Sequence, residues 1–299
     1  MFCIRLNVEP FAREYSQIAL GVDPGSKREA FTVKSKYHTY LNVLTETPHW
    51  IKDAVEGRKN ARMARRQRNT PCRKNKQNRA HGSLPPSTKA RWQWKERIAN
   101  WLLKMYPITD IVVEDIKAKT KGKRKWDVSF SPLEVGKKWF YERIGGLCRL
   151  TTKQGHETAV LRKKHGLAKN KSKLADVFDC HNVDSWVLAN DVVGGHHKPD
   201  NLGLIKLVPL QFHRRQLHVF QPAKGDIRKS YGGTRSVGFT RGSIAKHQKH
   251  GVCYIGGTMG GKISLHESYT GKRLTQSAKV LDVKSLSYAS WRMEVKVEK

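Results

Sequence analysis

Residues 17–27 read Gln17-Ile-Ala-Leu-Gly-Val-Asp23-Pro-Gly-Ser-Lys27. The run from Gln17 to Val22 is apolar and breaks off at Asp23-Pro24-Gly25. Proline fixes φ at the first turn position and glycine permits a positive φ at the next, so a strand is expected to stop here in a tight turn, with Asp23 at its end. Ala30-Phe-Thr-Val33 and His38-Thr-Tyr-Leu-Asn-Val43 follow as β-formers around Ser35-Lys36, the pattern of a hairpin. One buried strand followed by a hairpin predicts a three-stranded antiparallel start to a mixed sheet.

A second strand-like run, Ile111-Val-Val-Glu114, follows a helical segment. That segment is expected from about Lys89 to Met105, capped by Ser87 or Thr88, with Ile98, Leu102 and Met105 as its core stripe and Pro107 as its stop. A continuous apolar run after a helix predicts a parallel strand buried on both faces. Its terminal Glu114 then lies where open α/β sheets place their ligands. A helix near Val135–Leu147, a short strand near Thr158–Leu161 and a helix over Asp179–Val193 are expected next. On that last helix Cys180, Val183, Val187 and Asn190 share one side, His181 and Asp184 lie three apart on the adjoining strip, and Gly194-Gly195 ends it. Beyond Pro209 short strands, among them Val252–Ile255, Lys262–Leu265 and Arg292–Val297, are punctuated by Gly232-Gly233, Gly256-Gly257 and Gly260-Gly261. That texture fits a small β-barrel or sandwich.

Charge points to the partner. The chain has 299 residues, with 58 Lys plus Arg against 25 Asp plus Glu, a formal net charge of +33. Such an excess implies a polyanion met over a wide surface, and nucleic acid is the first candidate. An anionic membrane is the other, yet no apolar run approaches the ~20 residues of a spanning helix, and Met1 to Pro10 lacks the apolar core of a signal peptide. From Arg58 to Arg79 the sequence holds Arg58, Lys59, Arg62, Arg65, Arg66, Arg68, Arg73, Lys74, Lys76 and Arg79 without one acidic residue. Trp50 to Arg68 can be helical, and a helix so poor in apolar residues needs phosphates rather than a core to hold it. Lys117 to Lys125 is a second basic stretch. Trp92, Trp94 and Trp101 are either stacking platforms for bases or packing residues, packing being the safer reading. Cys3, Cys72, Cys148, Cys180 and Cys253 are scattered and never form C-x-x-C, which excludes a zinc ribbon and a disulfide framework and fits a reducing cytosol.

The acids carry the chemistry. Asp23 and Glu114 end strands, and Asp184 sits beside His181 on a late helix. Carboxylates brought together raise one another's pKa unless a cation neutralises them, and hard divalent ions accept such oxygens. Two ions about 4 Å apart can activate water and stabilise the leaving oxygen in phosphodiester cleavage, with His181 deprotonating the water or assisting the second ion. Taken singly, each residue has a blander reading as a turn, an ion pair or a surface charge. In the order strand-Asp, hairpin, strand-Glu, helix-His-x-x-Asp they describe the RNase H-like nuclease layout. Asp115 and Asp179 are the local rivals: Asp115 is expected on the opposite face of its strand, and Asp179 on another side of its helix.

Leu20-Gly-Val-Asp-Pro-Gly-Ser-Lys27, Ile111-Val-Val-Glu-Asp-Ile-Lys-Ala118 and His181-Asn-Val-Asp-Ser-Trp186 resemble the three split parts of a RuvC nuclease domain. The arginine-rich helix between the first two resembles the bridge helix of the RRXRR proteins. Within that family the chain is most similar to the IsrB branch, transposon-associated, RNA-guided relatives of IscB and of the large CRISPR nucleases. Phe130-Ser-Pro-Leu-Glu-Val-Gly-Lys-Lys-Trp-Phe140 and the glycine-rich C-terminal region share in the resemblance.

The resemblance implies an RNase H-like α/β fold with an inserted bridge helix and a small C-terminal β-rich domain. The expected divisions are a remnant strand of an N-terminal PLMP domain (1–15), RuvC parts I (16–47), II with its connecting region (87–175) and III (176–208), the bridge helix and linker (48–86), and a β-rich RNA- and target-motif-contacting domain (209–299). It also implies Asp23, Glu114 and Asp184 as ligands to magnesium, two ions with manganese as an alternative, and His181 as their catalytic partner. Arg58, Arg62, Arg65, Arg66, Arg68, Arg73, Lys74, Lys76 and Arg79 would bind nucleic acid. The implied partners are a structured guide RNA (omega RNA) and double-stranded target DNA, in a monomeric ribonucleoprotein of the prokaryotic cytoplasm and nucleoid. Base pairing would choose the sequence.

His181 follows Glu114 by only 67 positions, and the interval holds no evident HNH nuclease. The resemblance therefore implies one active site and nicking of the displaced, non-target strand. Two features depart from the family: only Phe2 to Pro10 resembles the closing strand of its further N-terminal domain, and Met63 stands where the bridge-helix motif has Arg. Two other readings remain open on the sequence, a guide-independent RNase H-like nuclease or transposase and a non-cleaving RNA-binding accessory protein.

Overall fold

The computed structural model describes residues 16–69, 84–117, 131–210, 220–221, 226–227, 235–268, 270–288 and 291–296. They divide into two units, one within Met1–Leu44 and Ile51–Leu204, the other within Thr45–Trp50 and Ile205–Lys296.

The first unit is built on strands β1 (Ile18–Asp23), β2 (Arg28–Ser35), β3 (Thr39–Glu46), β4 (Asp110–Asp115) and β5 (Arg149–Gln154), in the order β3-β2-β1-β4-β5. β1 runs antiparallel to β2, with Asp23 opposite Ala30, and parallel to β4, which is parallel to β5. An antiparallel hairpin start followed by parallel strands on the far side of β1 is the RNase H-like arrangement. Every residue of β1 is buried, as are Ile111, Val112 and Val113 of β4. Up to Asp23 and Glu114 these runs are apolar because both sheet faces are covered.

Helix α1 (Trp50–Gln67) buries only Ile51. Helices α2 (Pro86–Met105) and α3 (Pro132–Gly145) pack together through Trp92 and Phe140, whose ring centroids are 5.4 Å apart. Gly136 makes room for this, since a Cβ there would lie 1.9 Å from the Trp92 ring nitrogen. Trp92 and Trp94 are accordingly buried packing residues. α4 (Gly155–Lys164) and α5 (Phe178–Val193) complete the unit.

Several expectations are corrected. Thr158–Leu161 belongs to α4, because Gln154 and Glu157 form a capping box that starts a helix there, and the strand lies earlier, at β5. α2 starts at Pro86, whose preset φ suits a first turn, with no side-chain cap from Ser87 or Thr88. Met105, at its last position, is exposed rather than part of the core stripe. Gly25 does not adopt a positive φ; it is required because a Cβ would lie 1.7 Å from the Arg28 carbonyl oxygen.

The second unit holds β6 (Leu204–Pro209), the two-residue pairs β7 (Phe220–Gln221) with β8 (Asp226–Ile227) and β9 (Arg235–Ser236) with β10 (Phe239–Thr240), and β11 (Ser243–His247), β12 (Gly251–Met259), β13 (Lys262–Glu267), β14 (Arg273–Ala278), β15 (Val283–Tyr288) and β16 (Trp291–Lys296). Among the described residues the barrel or sandwich is instead one five-stranded antiparallel sheet, β14-β13-β12-β11-β15, over a core of Ala245, Cys253, Ile255, Ile263, Leu265, Ala278 and Val283. β16 pairs with β6. Gly260-Gly261 makes a turn with both φ positive, whereas Gly256-Gly257 lies inside β12, where the pairing register shifts. Gly232-Gly233 lies outside the described residues, as does the basic stretch beyond Lys117.

Candidate active site

The site forms where β1 and β4 end beneath α5. Gly21 and Val112 are paired in register and so share a sheet face; two residues on, Asp23 and Glu114 share it too. α5 lies on that face. A Cβ on Gly21 would come within 1.8 Å of the Ser185 carbonyl oxygen, so only glycine lets the helix approach so closely. The Ser185 hydroxyl meets that of Thr32 at 2.7 Å, and the Asn182 amide donates to the Phe31 and Val43 carbonyls. These buried polar contacts fix the helix's rotation and carry His181 and Asp184 to the ends of the strands. Gly194 and Gly195, both at positive φ, end the helix as expected, and the buried Lys34 ammonium donates to the Gly194 carbonyl at 3.1 Å.

His181 Nδ1 stands 2.8 Å from Asp23 Oδ2, and its Nε2 stands 3.1 Å from the Lys173 carbonyl oxygen. With acceptors at both ring nitrogens, the doubly protonated imidazolium satisfies both. Burial opposes that charge, but Asp23 outweighs it and His181 is held above its usual pKa. Glu114 behaves differently. Burial, followed by the repulsion and hydrogen bonding of Asp23 and the charge of Asp184, pushes its carboxyl up to about 7, with Lys169 opposing. Its Oε1 also lies beside Gly155, the first residue of α4, where a Cβ would sit 3.4 Å away.

Asp184 is fully buried, and both of its oxygens are engaged: Oδ1 accepts from Arg162 in the last turn of α4 and Oδ2 from Lys169 in the loop beyond. Sequence reading brings out neither base. Arg162 lies beside a stretch expected as strand, and Lys169 is one of many lysines with nothing to mark it out. A second pair without a sequence signal underlies the site. Glu29 of β2 faces the opposite way from its neighbour Ala30, and there its fully buried carboxylate meets Lys95 of α2.

The rivals fall out of the site. Asp115 points to the other face, bound by Lys137 at 2.6 Å, Gln154 at 2.7 Å and Tyr141 at 3.2 Å. Although burial works against its ionisation, these partners hold its carboxyl below the usual range. Asp179 is exposed in the first turn of α5.

The donor chemistry can be set against a hard divalent cation. Asp23 and Glu114 suit one, because burial and the neighbouring Asp23 and Asp184 disfavour the charged form of Glu114, and a cation would favour it. Asp184 suits one only after it exchanges its present partners. With Asp23 drawn to His181 and Asp184 to two bases, no three His, Cys, Asp or Glu side chains close into a metal-holding group among the described residues.

On α1, Arg58, Arg62 and Arg66 are exposed and Arg65 is half-buried; Arg68, in the turn just after the helix, is exposed. Arg73, Lys74, Lys76 and Arg79 lie outside the described residues. No helix among the described residues is long and apolar enough to cross a membrane.

Residues 1–128 match the family model described as RRXRR protein, in support of the resemblance carried by the arginine-rich helix and its flanking strands. Among solved structures, T. thermophilus RuvC in complex with Holliday junction substrate is similar at 10% sequence identity and a TM-score of 0.32, covering 60% of this chain and 96% of that one. No curated protein matches the chain.

Proposed function

We propose that this chain is an RNA-guided DNA nickase that hydrolyses a phosphodiester bond of the displaced, non-target strand, in a site made by Asp23, Glu114, His181 and Asp184. The observation that carries the reading is the convergence of Asp23 and Glu114, at the ends of two parallel strands, with Asp184 of α5, where burial first and then the charges of Asp23 and Asp184 raise the Glu114 carboxyl to about 7. Such crowding of acids costs stability in a protein that has no use for it, and it is the preparation a cation-dependent phosphoryl site needs.

Asp23, Glu114 and, once released, Asp184 would hold magnesium, one ion or two, with manganese as a substitute. The bound metal supplies Lewis-acid stabilisation of the phosphate and a more acidic water. The chain's own residues do the rest. His181 holds a proton at Nδ1 against Asp23, and once it gives that proton up it is the base placed beside the site. Gly21 and Asn182 fix the helix that carries it. Exposed arginines along α1 supply phosphate contacts for an RNA or RNA–DNA duplex, which base pairing rather than the protein reads.

The test is the dependence of cutting on RNA. Protein expressed with the DNA flanking its gene should co-purify with a structured RNA and nick one strand of a matching duplex. Equal cutting after the RNA is removed supports the guide-independent nuclease instead.

A further inference from the structure

We infer that Lys169 is a displaceable resident cation, occupying one oxygen of Asp184 beside Arg162 until a divalent ion takes its place, so that loading of the site at Asp184 is a cation exchange. The inference rests on the metal-site reading above and adds residues that reading does not use.

Asp184 has no exposed surface, and a buried carboxylate is tolerated only with compensating charge. Arg162 and Lys169 supply it, one on each oxygen. The two bases differ in freedom. The Lys169 side chain keeps 32% of its surface exposed against 18% for Arg162. Lysine is also a point charge on a flexible stem, whereas the guanidinium is a planar fork. Lys169 is therefore the partner that can leave and Arg162 the one that stays.

The backbone around Lys169 is anchored on both sides. Gly166 turns the chain at positive φ, the Leu167 amide donates to the Arg162 carbonyl at 2.9 Å, and the Leu167 side chain packs against the cluster of Phe178, Val183, Trp186 and Val187. On the other side the Asn170 amide donates to the Asp179 carbonyl at 2.9 Å. Exchange thus needs only a side-chain swing. The same ammonium acts on Glu114 and His181, so its departure changes the potential across the whole site. A positively charged occupant also explains how this arrangement of acids folds before a metal arrives.

The experiment measures Mn²⁺ binding to the full chain by the electron paramagnetic resonance of the free ion, without any cleavage readout. Lys169→Met should bind Mn²⁺ about tenfold more tightly than wild type, the effect of removing one partly solvated charge near the ion. The gain should disappear when Asp184→Asn is added, and Lys169→Arg, which keeps the charge, should show no gain. If Lys169→Met does not fold, Lys169→Gln carries the same expectation. Unchanged or weaker binding in the charge-removed variant overturns the exchange. Asp23→Asn separates the two claims: if it abolishes Mn²⁺ binding the metal-site reading stands whatever Lys169 does, and if binding is unweakened that reading falls, while the exchange is decided by the Lys169 and Asp184 variants.

Discussion

The α-carbon of Gly21 on β1 lies against the backbone carbonyl of Ser185 on α5, so closely that a single added methyl group would stand 1.8 Å from that oxygen. Neither partner can yield cheaply, because one is a central strand and the other is main chain. Gly21→Ala must therefore lift α5 and, with it, Asp184 and His181. We expect a loss of at least about 1–3 kcal/mol in unfolding free energy, the scale of overpacking in a well-filled core. Denaturant unfolding checks it.

The pH dependence of stability has a definite sign. Glu114 is raised from its ordinary 4.5 to about 7, so across that window the metal-free fold holds a proton that the unfolded chain has released. Stability then falls as pH rises, by about 2 kcal/mol after allowing for solvent screening of a half-buried group. His181, also raised, acts in the same direction: its contribution is complete below 6.5 and lost as pH climbs through its folded value. Thermal unfolding of metal-free protein between pH 4.5 and 7.5 should show this decline, and Glu114→Gln should remove its share of it, leaving that of His181 and of Glu29, whose carboxyl burial also raises.

Lys95 and Glu29 form a buried pair in which one carboxylate oxygen, Oε2, has no hydrogen-bond partner. Removing the ammonium alone leaves an uncompensated charge beneath Asp23. Lys95→Met should cost about 3–5 kcal/mol, whereas Lys95→Met with Glu29→Leu should recover most of that loss. A double-mutant cycle by chemical denaturation measures both.

Arg62 and Arg66 are exposed one helical turn apart on α1. Replacing both with alanine should weaken nucleic-acid binding without altering the fold. The slope of log K against log salt should become shallower by about 0.9 for each phosphate no longer neutralised on B-DNA. Fluorescence anisotropy at a series of salt concentrations reads the slope, and an unchanged slope moves the phosphate path off this helix.

Much of the architecture is legible in the chain. The apolar run ending at Asp23, the hairpin after it and the parallel strand ending at Glu114 are local patterns set by period and turn chemistry, and they appear in register. The exposed basic helix follows from composition alone. What escapes is relational. Thr158 to Leu161 reads as strand until the capping box of Gln154 and Glu157 is noticed, and with that misreading Arg162 vanishes from view. Lys169 carries no local signal at all; its place depends on Gly166 turning the chain and Leu167 packing against residues of α5. Gly256-Gly257 looks like a turn because glycine pairs usually are, while here strand pairing absorbs them as an irregularity within β12. Long-range charge pairing inside a strongly basic chain leaves few marks in sequence.

Asp23 is the residue on which metal-dependent hydrolysis turns. The most direct measurement is strand cleavage of a duplex labelled on both strands, with magnesium and co-purified RNA, by wild type and Asp23→Asn at matched nucleic-acid binding. Wild type should nick one strand, and Asp23→Asn should bind as tightly but cut more slowly by about a hundredfold or more, the scale of removing one catalytic electrostatic interaction. Equal cleavage by the two proteins would contradict it.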